Sequence, residues 1–266
     1  MREAGGWNGW RPAAIVRDNM VFARGTVLDY IFTPAEIVDL TKLSSKRSGA
    51  SKRQLGHRRS LILANTRQII SESGFGNVHM RQLAERSEVT PPTIYALVGT
   101  KHEVVQQALL EGLEAKFALA ERRAALEAIN PILAFGAVKW DAIVGDPGYY
   151  RQIMRGATSG SLDLSTVLTI HATIADRFLL WFEEMTASGF LRKDAPFPPS
   201  VVAPLIARQF AVPISSWVTE RITLAQLRPD VIASLAVPLL GVVAETERDR
   251  MLAWLEREQL SASRCP

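Results

Sequence analysis

The 266-residue chain predicts an all-α protein, a small three-helix head on a larger helical body. Three observations carry that expectation. Apolar residues recur every three or four positions, as in Val105, Leu109, Leu113 and Phe117, which places them on one helical face. Helix starts and stops are marked by Thr90-Pro91, by Thr100 with Glu103, by Asn130-Pro131, and by Gly74, Gly99 and Gly189. No run alternates apolar and polar residues as a half-buried strand would, and no segment repeats.

Residues 1–41 are the least patterned. Trp7, Trp10, Phe22, Tyr30 and Phe32 follow no period, Gly5-Gly6 and Pro12 interrupt them, and a short helix over 34–43 is all that is expected. Residues 42–59 intersperse Ser44, Ser45, Ser48, Gly49 and Ser51 with Lys46, Arg47, Lys52, Arg53, Arg58 and Arg59. Small polar residues with interspersed charge bury no core, so a flexible basic arm is expected to about residue 53. It would lie along phosphates or in a minor groove, or serve as a plain solvated linker. The first helix is expected over 57–73, with Leu61, Ile62, Ala64, Ile69 and Ile70 facing inward and Gly74 ending it.

Residues 78–101, VHMRQLAERSEVTPPTIYALVGTK, read as two short helices joined by a tight turn. Met80, Leu83 and Ala84 give the first helix its buried face, and Val89 plugs the turn. Thr90 is a good N-cap, and Pro91 sits at the first helical position, where a missing N–H does no harm. Pro92 lacks an N–H as well, so Thr90 is expected to cap through Thr93 alone. Ile94 with Leu97 or Val98 faces inward, leaving Thr93, Tyr95 and Ala96 more exposed, and Gly99 stops the helix. Thr100 and Glu103 then form a capping box for the next helix. The unit is a helix-turn-helix whose second helix is free to enter a DNA major groove.

The longer stretch SGFGNVHMRQLAERSEVTPPTIYALVGTKHEVV resembles the DNA-binding segment of the tetracycline-repressor (TetR) family of bacterial transcription regulators. Gly74-Phe75, Val78, Leu83-Ala84, Val89-Thr90, Thr93-Ile94-Tyr95 and Lys101 carry the likeness. His79 stands where the family usually has Thr, Glu88 where it usually has Gly, and Leu97-Val98 where it usually has an aromatic pair. The resemblance implies a ligand-responsive regulator, a repressor above all, that binds a near-palindromic operator in double-stranded DNA. It also implies a small-molecule effector pocket in the body, a homodimer formed through the two C-terminal helices, and backbone contacts from Tyr95 and Lys101. The candidate DNA-contacting residues are Lys52, Arg53, His79, Arg81, Thr90, Pro91, Pro92, Thr93, Tyr95 and Lys101. Members normally begin close to their first helix, so residues 1–41 are either an added partner-binding arm or lie upstream of the true start, with Met20 a later candidate.

Charge agrees with the placement of the head. Residues 46–103 hold ten Lys and Arg against four Glu, whereas residues 104–266 hold 16 basic against 18 acidic groups. The positive excess therefore sits where phosphates would be met. The expected division is an N-terminal extension and arm over 1–53, the DNA-binding head over 54–103, and the body over 104–266. Cys265 is the only cysteine, which excludes an intrachain disulfide and a Cys-based metal site. No signal-peptide core is present, and the apolar run 231–244 is too short to span a bilayer and contains Pro238, so a cytoplasmic chain with no membrane partner is expected.

The body reads as helices over 101–127, from Asn130-Pro131 onward, over 149–157 and over 164–187, then a loop around Pro196, Pro198 and Pro199, and two last helices over 200–223 and 229–259. Those last two carry Val201, Leu205, Phe210, Ile214 and Trp217, then Ile232, Leu235, Leu239, Met251 and Trp254, more apolar surface than one packing face needs. Ala233, Ala236, Gly241 and Ala244 would let a partner helix approach closely. No phosphate-binding loop, metal-type His spacing or nucleophile setting appears, so no catalytic residue, metal or cofactor is expected. Trp140, Tyr150, Met154, His171, Phe178 and Trp181 are the candidate effector contacts, an apolar set with a few polar tips, although such aromatic stripes also arise as plain core. Two other readings stand beside the repressor: an architectural DNA-binding protein without a ligand, and an all-α enzyme using His171 with a neighbouring carboxylate.

Overall fold

The computed structural model describes residues 49–262. The expected helix over 34–43, the extension and arm before residue 49, and Cys265 lie outside the described residues. The elements are α1 (Gly49–Ser73), a 3-10 turn (Phe75–Asn77), α2 (Met80–Arg86), α3 (Pro91–Leu97), α4 (Lys101–Glu127), α5 (Pro131–Gly145), α6 (Pro147–Ser159), α7 (Leu164–Ala187), α8 (Pro199–Gln209), α9 (Ala211–Val218), α10 (Leu224–Leu240) and α11 (Glu245–Ala262). The fold is all-α. Among the described residues the one β contact is a bridge between Leu191 and Val243, which ties the end of α7 to the α10–α11 link.

Side-chain caps set most of the starts. Thr100 and Glu103 form the expected capping box at α4. Asn130 accepts from the Leu133 N–H at 2.9 Å, Asp146 from the Tyr149 N–H at 2.9 Å, and Asp163 from the Ser165 N–H at 2.8 Å. Thr223 and Gln226 make a second capping box, so α10 begins before Pro229 rather than at it. Each of these satisfies backbone donors that a helix start leaves orphaned.

Three boundaries differ from expectation, each for a local reason. Helix α1 starts at Gly49, eight residues ahead of His57, so Lys52 and Arg53 belong to a helix and not to an extended arm. Ala50, Lys52, Arg53, Gln54 and Leu55 are all good helix formers, and no proline intervenes. The expected helix over 200–223 is two, α8 and α9, because Pro213 has no N–H for the Gln209 carbonyl and the chain breaks at Phe210. The expected helix over 229–259 is also two. Pro238 and Gly241 close α10, and the Val242 and Ala244 backbones turn to bond Arg192 and Phe190 at 3.0 and 2.8 Å.

Helix α5 occupies the centre of the body. Every residue from Pro131 through Val138 is buried. Phe135 is the hub of an aromatic cluster, its ring centroid 5.2 Å from Phe117 on α4, 5.6 Å from Phe178 on α7 and 5.4 Å from Phe210 at the α8–α9 break. Trp181 stacks on Phe178 at 5.7 Å. At Gly136 an added Cβ would lie 2.6 Å from Leu235 Cδ1, so glycine is what lets α10 press against α5. By length and composition Pro199–Val218 is apolar enough to cross a membrane, yet half of it is buried inside the body and α8 packs along α7.

The head joins the body through α1, which lies against both α4 and α6. Arg67 donates to the Ala108 carbonyl at 3.1 Å and pairs with Glu111 at 2.9 Å. Ser71 donates to both Asp146 carboxylate oxygens, at 3.0 and 2.8 Å. Phe75 seats directly on Gly156, where a Cβ would meet the ring at 2.6 Å. A shift of α6 would therefore be felt in the head.

Candidate nucleic-acid interface

The head is assembled by backbone that only certain residues tolerate. Gly74 at φ 82° turns the chain out of α1, and Gly99 at φ 125° turns it out of α3. Between α2 and α3, Glu88 holds φ 54°, a left-handed conformation costly for a non-glycine residue. Ser87 is buried beneath it and accepts from Asn65 Nδ2 of α1 at 3.0 Å, while the same amide donates to the Arg86 carbonyl at 2.9 Å. Arg86 reaches Glu72 at 2.6 Å, and that hydrogen bond holds the Glu72 carboxyl below its ordinary range. Leu83, Ala84, Ile94 and Val98 are buried and lock α2 and α3 to α1.

With Ile94 turned inward, α3 presents Pro92, Tyr95 and Ala96 to solvent, and Tyr95 is 53% exposed. Pro91 and Thr93 are half-buried at its start. The Thr90 side chain does not cap the helix. Its hydroxyl meets the Thr93 hydroxyl at 2.9 Å, and the Thr93 N–H is already taken by the Thr90 carbonyl at 2.9 Å, which removes the donor that the expected cap needed. Helix α3 carries no charged side chain, so its exposed face is neutral and largely apolar. Such a face suits thymine methyls and groove shape better than guanine acceptors.

Charge stands around that face rather than on it. Lys101, exposed at the first position of α4, makes one contact with the Gly76 carbonyl at 3.3 Å. The free N–H groups of that turn favour an anion beside it. His79, at the cap position before α2, and Arg81 on α2 are exposed, with Arg81 drawn to Glu85 one turn on at 3.3 Å. Arg53 is exposed near the start of α1, and Lys52 belongs to the same first turns.

The candidate effector residues differ in burial. Phe178 and Trp181 are fully buried within the aromatic cluster. His171 is half-buried further along α7, and burial lowers its pKa. Trp140 and Met154 are half-buried on α5 and α6. Tyr150 is buried beside Tyr149, their rings edge to face at 5.4 Å. A cleft of about 300 Å³ opens elsewhere, lined by Arg151, Trp217, Arg221 and Leu224 among others, with the Arg151 guanidinium 4.8 Å above the Trp217 ring.

Two groups near Tyr150 escaped sequence reasoning. Lys139 lies 4.6 Å and Lys116 5.8 Å from the Tyr150 ring centroid. Burial, with Arg67 nearby, lowers Lys116 to about 8, and burial, with Lys116 nearby, lowers Lys139 to about 7. Burial likewise pushes both tyrosines upward. The available signal was Lys139 itself, which follows an unbroken apolar run from Pro131 to Val138.

The family model for bacterial regulatory proteins, tetR family, matches residues 62–108, which hold most of α1, the helix-turn-helix and the start of α4. No curated protein matches the chain by sequence. Among solved structures, a Rhodococcus sp. chain assigned to the TetR family of transcriptional regulators aligns with a TM-score of 0.57 at 14% identity, over 68% of this chain and 98% of its own. SmeT, the repressor of the Stenotrophomonas maltophilia multidrug efflux pump SmeDEF, aligns with a TM-score of 0.52 at 16% identity, over 70% of this chain and 91% of its own. A tetR regulator from Streptomyces fradiae, tylp, aligns with a TM-score of 0.51 at 17% identity, over 82% of this chain and 100% of its own. These likenesses extend the shared fold from the head into the body.

Proposed function

We propose that this chain, whose head resembles that of the tetR-family regulators, is a dimeric transcription repressor released from its operator by a small-molecule effector. Residues 54–103 are the DNA-binding head, residues 104–266 the effector-binding and dimerisation body, and residues 1–53 an extension. The observation that carries the reading is the neutral, protruding face of α3 beside Lys101 at the N-terminus of α4. Two heads would occupy half-sites about 34–36 Å apart, one turn of B-DNA. A ligand that binds a different head spacing more tightly would shift the population away from the operator-competent state.

Selection of bound fragments from genomic DNA, followed by titration of the recovered operator, tests the reading directly. Lys101→Ala should weaken binding to every sequence alike and flatten the salt dependence by about one unit of slope, the loss of one phosphate contact. An unchanged slope with altered base preference would reassign Lys101 to base reading.

The face of α3 gives a second expectation. Replacing thymine by uracil removes only the C5-methyl group. At least one position per half-site should then lose about 1 kcal/mol, a modest base-specific contact. If uracil is silent everywhere while guanine changes matter, the Pro91-Pro92 tip is only a helix start.

A further inference from the structure

Among the described residues, half-buried cations are otherwise neutralised. Arg67 pairs with Glu111, Arg123 with Glu127 and Asp141, Arg177 with Glu114 and Glu121, and Arg228 with Glu258. Lys116 and Lys139 break that rule. Both are half-buried, and neither forms an ion pair with a described residue. Lys116 has one polar contact, with the Gly112 carbonyl at 2.9 Å, and both ammonium groups lie over the face of Tyr150. The groups around them are Arg67 and its partner Glu111 from α1 and α4, and Asp146, Tyr149 and Tyr150 from the start of α6. Asp146 is engaged by Ser71 and by the Tyr149 N–H. Two cations held together without a counter-charge, away from water, are costly, and a ligand that brings the missing charge recovers that cost.

We infer that Lys116 and Lys139 form the anchor for the acidic group of the effector, a small monocarboxylate whose apolar part rests against Tyr149 and Tyr150. The inference rests on the reading that the body takes an effector. A single negative charge between the two ammonium groups restores the pairing found at the other half-buried cations, and the aromatic walls suit an apolar remainder better than a second anionic oxygen cluster. The site also lies where it would matter. Tyr150 belongs to α6, the helix whose Gly156 carries Phe75 of the head and whose cap Asp146 holds Ser71 of α1.

The lowered lysines give the binding a proton signature. At pH 8 the free site is largely without its second proton, and a bound carboxylate would draw one in. Calorimetry of benzoate with the full chain, in two buffers of different ionisation heat and without DNA, should show saturable binding with proton uptake. Lys139→Met should weaken it by at least about tenfold, as loss of a charge-assisted bond does, while keeping the helical signal. Lys139→Arg should retain binding with the proton uptake reduced to the share that Lys116 supplies. Lys116→Met provides a second variant with the same expectation as Lys139→Met. Benzoate binding that is absent at about 1 mM, or unchanged in both Met variants, overturns the anchor. Inorganic phosphate bound in preference to benzoate overturns the carboxylate assignment. Because no DNA is present, failure here leaves operator binding, tested through Lys101, untouched.

Discussion

Val237→Asp is expected to separate the proposed dimer into monomers at micromolar concentration and to lower operator affinity on the order of 100-fold, because two linked heads then bind as independent ones. Val237 is 66% exposed on α10, with Ala233 and Gly241 exposed one turn to either side. That stripe of small side chains allows close approach of a second helix. On the neighbouring α8 and α9, Val201, Leu205 and Val212 stand 42%, 48% and 63% exposed and continue one stripe across the break at Phe210. A carboxylate placed at the middle of such a face must be desolvated when the copies meet. Leu126→Asp, on α4 and already 86% exposed, is the control and should leave assembly unchanged. Light scattering and sedimentation read the outcome. A Val237→Asp protein that stays dimeric at full operator affinity would move the interface elsewhere.

The head was legible because its signals are local. Thr100 with Glu103, Pro91 and Gly99 each act within four residues, and each stands where the structure needs it. Even the departure at Glu88 was informative, since the residue sits at φ 54°, where glycine would cost nothing. What a local pattern could not show was the competition for one donor. The Thr93 N–H goes to the Thr90 carbonyl, so the two hydroxyls pair with each other instead.

The body was less legible for two physical reasons. Pro204, Pro213, Pro229 and Pro238 all lie inside helices, and only tertiary packing decides which of them breaks the chain and which is carried through. The candidate effector residues were chosen as an aromatic stripe, a pattern shared by a pocket wall and a packed core. Phe178 and Trp181 are buried, stacked against each other and packed around Phe135. Lys116 and Lys139 are 23 residues apart on different helices, and only the packing of α4 against α5 brings them to one ring. Their charge should also mark the stability curve. Lys139 gives up its proton near 7 in the folded chain but near 10.5 when unfolded, so the unfolded state binds the extra proton between those values. Its contribution to stability therefore improves as pH rises through that window. In Lys139→Met that rise should be smaller.

Glu121→Ala is expected to cost the fold about 3 kcal/mol, a loss typical of breaking a partly buried ionic network. One oxygen of Glu121 accepts from Arg177 Nη1 at 2.9 Å and from the Trp181 indole N–H at 3.2 Å. Arg177 in turn reaches Glu114 at 3.0 Å and lies 5.0 Å above the Phe117 ring. Helix α4 meets α7 over only a short stretch, where the bond from Gln106 to the Thr169 hydroxyl at 3.3 Å is joined by this clamp. Removing it leaves the indole N–H of Trp181, a side chain 1% exposed, without its acceptor. It also leaves Arg177, with a side chain 16% exposed, on the more exposed Glu114 alone. In a chain of this size the melting temperature should fall by roughly 6–12 °C. Glu121→Gln keeps an acceptor for the indole and should lose less than half as much. Glu114→Ala, at the outer end of the clamp, should lose less again, since water can replace its contact. If alanine and glutamine at 121 prove equally mild, the packing of Phe117, Phe135, Phe178 and Trp181 holds α4 on α7 without the charge network.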